Sequence, residues 1–171
     1  MKKSPIPLAV IALVAALSIA GCGGDGDDAS SGAGGNGQGS AAANEPPASG
    51  RPTIVSSASV SELGEVIVDS EGFTLYDFHK DTGGSPSCYD ACAETWPPLL
   101  ADGDLQASEG AEESQLGIVN RTDGTVQVTY AGYPVYTYTG DEEAGEANGH
   151  DIDSFGAEWY ALQPSGKEAE G

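Results

Sequence analysis

The hydrophobic residues between positions 53 and 163 fall into short runs that alternate with polar residues and end at glycine-containing turns. In TVQVTY at residues 125–130, this alternation places Val126, Val128 and Tyr130 on one face of an extended strand. Similar short runs of aliphatic and aromatic residues occur at 65–68, 74–78, 116–120 and 135–139. The pattern predicts a mainly β domain whose antiparallel strands are joined in hairpins.

This hydrophobic pattern occurs twice. GFTLYDFHKD at residues 72–81 matches GYPVYTYTGD at residues 132–141 without a gap, and WPPL at 96–99 matches WYAL at 159–162. An internal repeat of this kind predicts a duplicated domain. We expect its two hairpin-containing halves, about 53–100 and 116–163, to pack their aromatic faces together, since neither half alone buries enough apolar surface. The shared side chains are Tyr76, Phe78, Asp81 and Trp96 in the first copy and Tyr136, Tyr138, Asp141 and Trp159 in the second.

Three segments of the folded region lack the strand pattern. SCYDACAE at residues 87–94 predicts one short helix with Ser87 as its N-cap, ending before Pro97. Residues 101–115 are acidic and turn-rich, which predicts a solvated loop. The tail, residues 164–171, has no large apolar residue, and we expect it to be disordered.

Residues 1–21 have the pattern of a signal peptide. Lys2 and Lys3 precede an apolar run from Ile6 to Ile19. This run of about 14 residues is shorter than the roughly 20 that a bilayer requires, which favours a cleaved signal over an uncleaved membrane anchor.

The signal ends at Ile19-Ala20-Gly21-Cys22, a tetrapeptide that resembles a bacterial lipobox. The resemblance implies cleavage before Cys22 and attachment of acyl chains such as palmitate, so that the mature protein is anchored to the membrane by lipid. Residues 22–52 are rich in glycine, serine and aspartate and predict a disordered tether. Its root-mean-square span would be roughly 30 Å.

The charge of the chain limits its partners. The formal net charge is −21, and removal of Lys2 and Lys3 from the six basic residues leaves four against 27 acidic ones, or −23. Such a surface repels phosphate backbones and anionic lipid headgroups, so we expect no nucleic-acid binding, and we expect membrane attachment to come from the lipid. We interpret the acidic excess as a solubility feature, with a cation-binding surface as the alternative.

The two repeat blocks identify a family resemblance. Tyr76 to Asp81 and Tyr136 to Asp141 match the Yx(F/W/Y)xxD signature of a family of predicted bacterial lipoproteins with a secreted repeat of unknown function. The resemblance extends from Thr53 to Leu162 and includes CxxxCAxxWPPL and RxDGxxQVTYxGxPxY. It implies an exported, usually lipid-anchored, duplicated domain with no established reaction.

The signature allows two interpretations. The aromatic residues can be core side chains, with Asp81 and Asp141 capping the turns that follow. Alternatively, the two aspartates form a pseudo-symmetric carboxylate pair for acid–base chemistry or cation binding. We favour the structural interpretation, also for Trp96 and Trp159.

Cys88 and Cys92 remain as an even pair in an oxidising compartment once Cys22 is lipidated, which predicts a disulfide. The alternative is a redox-active or copper-binding CxxxC pair, with His79 as the nearest imidazole ligand.

No familiar catalytic motif occurs in the chain. We therefore expect a non-enzymatic, lipid-anchored extracytoplasmic protein without a cofactor. Its role would be structural or would be to bind an unidentified protein or envelope partner. The alternative is a redox-active or copper-handling lipoprotein.

Overall fold

The computed structural model describes residues 50–60 and 62–171. The predicted signal peptide, Cys22 and the predicted tether up to residue 49 lie outside the described residues. In the described part of the chain, no helix is long and apolar enough to cross a membrane.

The described residues form three small sheets, each of three strands, in the orders β2-β1-β4, β3-β9-β8 and β5-β6-β7. All pairings are antiparallel except that of β1 with β4, which is parallel. The prediction of a mainly β domain with one short helix is confirmed. The elements are β1 (Thr53–Val60), β2 (Gly64–Val68), β3 (Tyr76–Phe78), α1 (Ala91–Thr95), β4 (Leu105–Ala107), β5 (Leu116–Asn120), β6 (Val126–Tyr130), β7 (Tyr133–Pro134), β8 (Ile152–Ser154) and β9 (Ala157–Ala161), with 3-10 turns at Thr82–Gly84 and Glu113–Gln115.

The hairpin between β6 and β7 shows why the repeat carries glycine before its aromatic block. Ala131 and Gly132 form the two-residue loop, with φ of 52° and 86°. Both values lie in the left-handed region, which matches the twist of two-residue hairpins and which glycine adopts without penalty.

The predicted start of the helix was wrong. Helix α1 begins at Ala91, with Asp90 at its N-cap position. The backbone amide and the hydroxyl of Ser87 both donate to Asp81 Oδ1 at 2.7 Å. These bonds hold Ser87 in the loop before the helix.

Two segments that the sequence predicts as irregular are more ordered. Residues 101–115 contain β4, which pairs in parallel with Thr53–Val55 in β1. In the tail, the Ala169 amide donates to the Ala161 carbonyl at 2.8 Å, and Ala169 is buried. The structure thus differs from the predicted disordered tail because Ala169 completes the core cluster around Trp159 and Ala161.

The two repeats exchange segments. The Ile67 amide of the first repeat donates to the Leu162 carbonyl of the second at 2.8 Å. Reciprocally, the Val128 amide of the second repeat donates to the Leu99 carbonyl of the first, also at 2.8 Å. The tryptophan-containing segment of each copy therefore pairs with the strands of the other copy, and a pseudo-twofold relation connects the two halves.

A stack of four aromatic rings lies in the core between the repeats. Trp96 and Trp159 stack at 3.9 Å between ring centroids. Phe78 stacks on the outer face of Trp159 at 4.0 Å, and Tyr138 stacks on Trp96 at 4.2 Å. Along the stack the order is Phe78, Trp159, Trp96 and Tyr138. Rings of the first and second copies therefore alternate, and the two halves share one core.

Candidate functional site

The signature tyrosines and aspartates pair across the two repeats. Tyr76 donates its hydroxyl hydrogen to Asp141 Oδ2 at 2.7 Å, and Tyr136 donates to Asp81 Oδ2 at 2.6 Å. The backbones of Tyr76 and Tyr136 also exchange hydrogen bonds of 2.8 and 2.9 Å. All four side chains are buried. Each carboxylate is thus held by a tyrosine of the other copy.

The second oxygen of each aspartate orders the loop that follows it. Asp141 Oδ1 accepts from the Asn148 amide at 2.7 Å, just as Asp81 Oδ1 accepts from Ser87. Asp81 and Asp141 therefore take part in two separate hydrogen-bond networks, each with its own tyrosine. This arrangement gives them the loop-organising role that the structural interpretation assigns, with a tyrosine contact in addition.

Burial controls the ionisation of this network. It raises the pKa of Asp81 and of Asp141 above the usual carboxyl range, although the hydrogen bonds from Ser87 and Tyr136 and those from Tyr76 and Asn148 partly oppose the shift. Burial and the hydrogen bond to the neighbouring aspartate raise the pKa of Tyr76 and of Tyr136 well above the usual tyrosine range. Both tyrosines are therefore hydroxyl donors at neutral pH.

Cys88 and Cys92 form a disulfide, as predicted, with their Cα atoms 5.2 Å apart. Both cysteines are buried. In this bridged state neither sulfur is a thiolate, so the pair offers no ligand for copper.

A buried arginine ties the disulfide segment to the second repeat. Arg121 donates to the Cys88 carbonyl at 2.7 Å and to Gln127 Oε1 at 2.6 Å. Its guanidinium carbon also lies 4.2 Å from the ring centroid of Tyr89. Sequence reasoning missed Arg121 and Gln127, although a basic residue in so acidic a chain was a usable signal.

His79 lies away from this disulfide network, in a different cluster. His79 Nε2 is 2.8 Å from Glu168 Oε1, and Nδ1 is 3.5 Å from Glu158 Oε2. One donor atom from each of Asp77, His79 and Glu168 lies within 4.8 Å of the others. The three residues also line a surface cavity of about 310 Å³.

The charges in this cluster act on one another. Burial and the charge of Glu168 raise the pKa of Asp77 to about 7, and His79 opposes this shift. Burial alone would lower the pKa of His79, but the hydrogen bond and charge of Glu168, with the charges of Asp77 and Glu158, outweigh burial and raise it. Two carboxyl groups and one imidazole thus share a small, negatively charged region.

Sequence reasoning did not select Asp77 or Glu168. Asp77 had a signal, because it is an acidic residue in a strand and stands between two buried aromatic residues, Tyr76 and Phe78. Glu168 had none, because it is one of many acidic residues and lies in a segment predicted to be disordered.

Comparison with known proteins identifies the family. A family model described as a secreted repeat of unknown function matches residues 57–100 and 117–163. The two matches fit a duplicated domain, and the description indicates an extracytoplasmic location. Searches of curated proteins and of solved structures found no match. The chain therefore belongs to the family of secreted repeats of unknown function, and it carries two copies of that repeat.

Proposed function

We propose that the chain is a lipoprotein anchored through Cys22, whose folded domain has a non-catalytic structural or binding role outside the membrane. The lipobox-like tetrapeptide and the secreted family support the address. The acidic surface supports attachment through lipid, since it repels anionic headgroups.

The observation that best supports the non-catalytic role is that the most distinctive residues of the repeat bond to one another in the protein interior. Tyr76, Tyr136, Asp81 and Asp141 are buried and bonded to one another across the repeats. A catalytic acid or base must reach a substrate, whereas these groups are at most 5 % exposed and already hold hydrogen bonds to protein partners. The signature therefore specifies how two copies assemble.

Lipid anchoring through Cys22 is tested by metabolic labelling with palmitate in a bacterial host that produces the chain. We expect label on the wild-type chain in the membrane fraction. The Cys22→Ala chain should carry no label and should leave that fraction. Equal membrane retention of both chains would refute lipid anchoring through Cys22.

The role of the cysteine pair is tested by titrating thiols in the protein purified from its native compartment, together with elemental analysis for copper. We expect no free thiol without denaturant and reductant, and no stoichiometric copper. Two free thiols with one bound copper would instead support the copper-handling alternative.

A further inference from the structure

The cluster of Asp77, His79 and Glu168 belongs to neither the disulfide nor the tyrosine–aspartate network. Asp77 lies in β3, His79 follows that strand, and Glu168 reaches the same place from the returning C-terminal segment. Residues far apart in the chain thus bring three potential metal ligands to one cavity.

The pseudo-twofold relation shows that the fold does not require these side chains. The positions that correspond to Asp77 and His79 in the second repeat are Thr137 and Thr139. Their hydroxyls donate to backbone carbonyls of the first repeat, Pro97 at 3.4 Å and Thr95 at 3.1 Å. In the second copy these positions thus need only threonine hydroxyls, which bond to the backbone of the first copy. The first copy carries a carboxylate and an imidazole at the same positions.

Asp77 has an unmet bonding requirement. The residue is 2 % exposed, and its Oδ1 has no hydrogen-bond partner among the described residues. A buried acceptor without a partner is unfavourable, because the loss of its hydration is not compensated. The nearby carboxylate of Glu168 adds repulsion, so a cation at this point would relieve both costs.

We propose that Asp77, His79 and Glu168 bind one divalent transition-metal ion of the Zn²⁺ class. One imidazole nitrogen and two carboxylate oxygens form a ligand set that suits such ions, whereas Ca²⁺ prefers oxygen ligands alone. This set differs from the copper ligands that the sequence suggested, since it includes neither cysteine.

The geometry fits with small side-chain movements. Zinc bonds to nitrogen and oxygen of about 2.0–2.2 Å place neighbouring ligands roughly 3–3.5 Å apart. The side chains of His79 and Glu168 are 35 % and 46 % exposed, so they are free to adjust from the observed spacing. Water in the adjoining cavity would complete the coordination.

Two further residues hold the His79 ring in a suitable orientation. Glu158 Oε2 lies 3.5 Å from Nδ1, where it is placed to accept a hydrogen bond from Nδ1–H once Nε2 binds the metal. Tyr160 packs against the imidazole with ring centroids 4.8 Å apart. Glu158 and Tyr160 are thus positioning residues in this proposal.

The metal site goes beyond the proposed function and does not depend on lipidation. We suggest titrating ZnCl₂ into the chelator-stripped full chain, purified in detergent without a polyhistidine tag, and following the heat by isothermal calorimetry. We expect one site per chain. His79→Gln and Glu168→Gln should each weaken binding by roughly ten- to a hundredfold or more, and Asp77→Asn should do so if it folds.

The matched control is Glu94→Gln, which changes an exposed carboxylate in α1 outside the cluster and should retain wild-type affinity. CaCl₂ is the control ligand and should bind much more weakly than ZnCl₂. The proposal is overturned if zinc gives no saturable one-to-one binding, or if the His79 and Glu168 variants bind like the wild type. Equal binding of Ca²⁺ would also overturn it, because that result describes a general acidic surface.

Discussion

Tyr76 and Tyr136 are completely buried, yet each keeps its hydroxyl bonded to a carboxylate. A hydrogen bond with a charged partner contributes more than a neutral one, and loss of one partner leaves the other unsatisfied. Changing one residue of such a pair should therefore lower stability, because its buried partner loses a hydrogen bond.

We expect Tyr136→Phe to destabilise the protein by about 1–3 kcal/mol, because it removes the hydrogen bond to buried Asp81 Oδ2. Tyr76→Phe should have a similar effect through Asp141. Urea unfolding measures the change. Tyr133→Phe is the control, since Tyr133 is exposed and should change stability by less than about 0.5 kcal/mol. Equal stability of the Tyr136 and Tyr133 variants would contradict the prediction.

The pH dependence follows from the raised pKa values of the buried carboxyl groups of Asp77, Asp81 and Asp141. The folded protein holds these protons at a pH where the unfolded chain, with carboxyl pKa values near roughly 4, has released them. The free energy of unfolding should therefore fall as pH rises from about 4 through the folded pKa values.

Thermal unfolding between about pH 4.5 and 7.5 measures this slope. Asp141→Asn removes one of these three groups, so its unfolding midpoint should fall less steeply with pH than that of the wild type. Because the remaining acidic surface is unchanged in this variant, it serves as the control for general charge repulsion. Parallel pH profiles would show that Asp141 does not contribute.

At the scale of elements, short strands are stabilised by segments from the other repeat. β3 has only three residues and pairs with β9, whose Trp159 lies opposite Phe78. Helix α1 has only five residues and is held by the disulfide at Cys92 and by the bond from Arg121 to the Cys88 carbonyl. Neither element is long enough to be stable alone.

Reduction of the disulfide should therefore destabilise the domain. The loop between Cys88 and Cys92 is small, so the loop-entropy contribution is only about 2 kcal/mol. Guanidinium unfolding with and without a phosphine reductant measures it. Because both cysteines are buried, we expect thiol labelling of the chain to need denaturant together with reductant. Rapid labelling of the folded chain with reductant alone would contradict this burial.

At the scale of the whole molecule, the two repeats form one cooperative unit. The four stacked rings alternate between copies, and the backbone pairing is reciprocal. Each repeat would expose its aromatic face if it were alone, and both its tyrosine and its aspartate would lose their partners in the other copy. The fold therefore requires both copies of the repeat for its stability.

We expect residues 50–100 and 101–171, produced as separate chains, to be unfolded. Each fragment lacks the tryptophan-containing segment of the other copy, which pairs with its own strands in the intact chain. It should therefore show no near-ultraviolet circular dichroism from packed aromatic rings. The intact chain is the control, and mixing the two fragments should restore part of its signal. A cooperative unfolding transition in either fragment alone would refute the shared core.

Much of the fold was predictable because its signals are local. The alternation in β6 and the aromatic spacing of the first repeat indicated strands, and Gly132 marked the turn before β7. The predicted strand at residues 135–139 was wrong, since Tyr136 forms only isolated bridges to Tyr76 and Pro98. The start of α1 was missed because a distant carboxylate, Asp81, binds Ser87 and removes it as a cap. The prediction for residues 164–171 failed because small Ala169 fits a core position that only the folded chain creates.

The sequence by itself determined the duplication and the β character, since these depend on repetition and alternation, and it favoured a disulfide between Cys88 and Cys92 while leaving the copper-binding alternative open. Only the tertiary structure decided which copy each aspartate serves and that Glu168 meets Asp77 and His79. These contacts join positions separated by as many as 89 residues. Local patterns specify whether a side chain is extended or buried, whereas the path of the folded chain decides which distant group it meets.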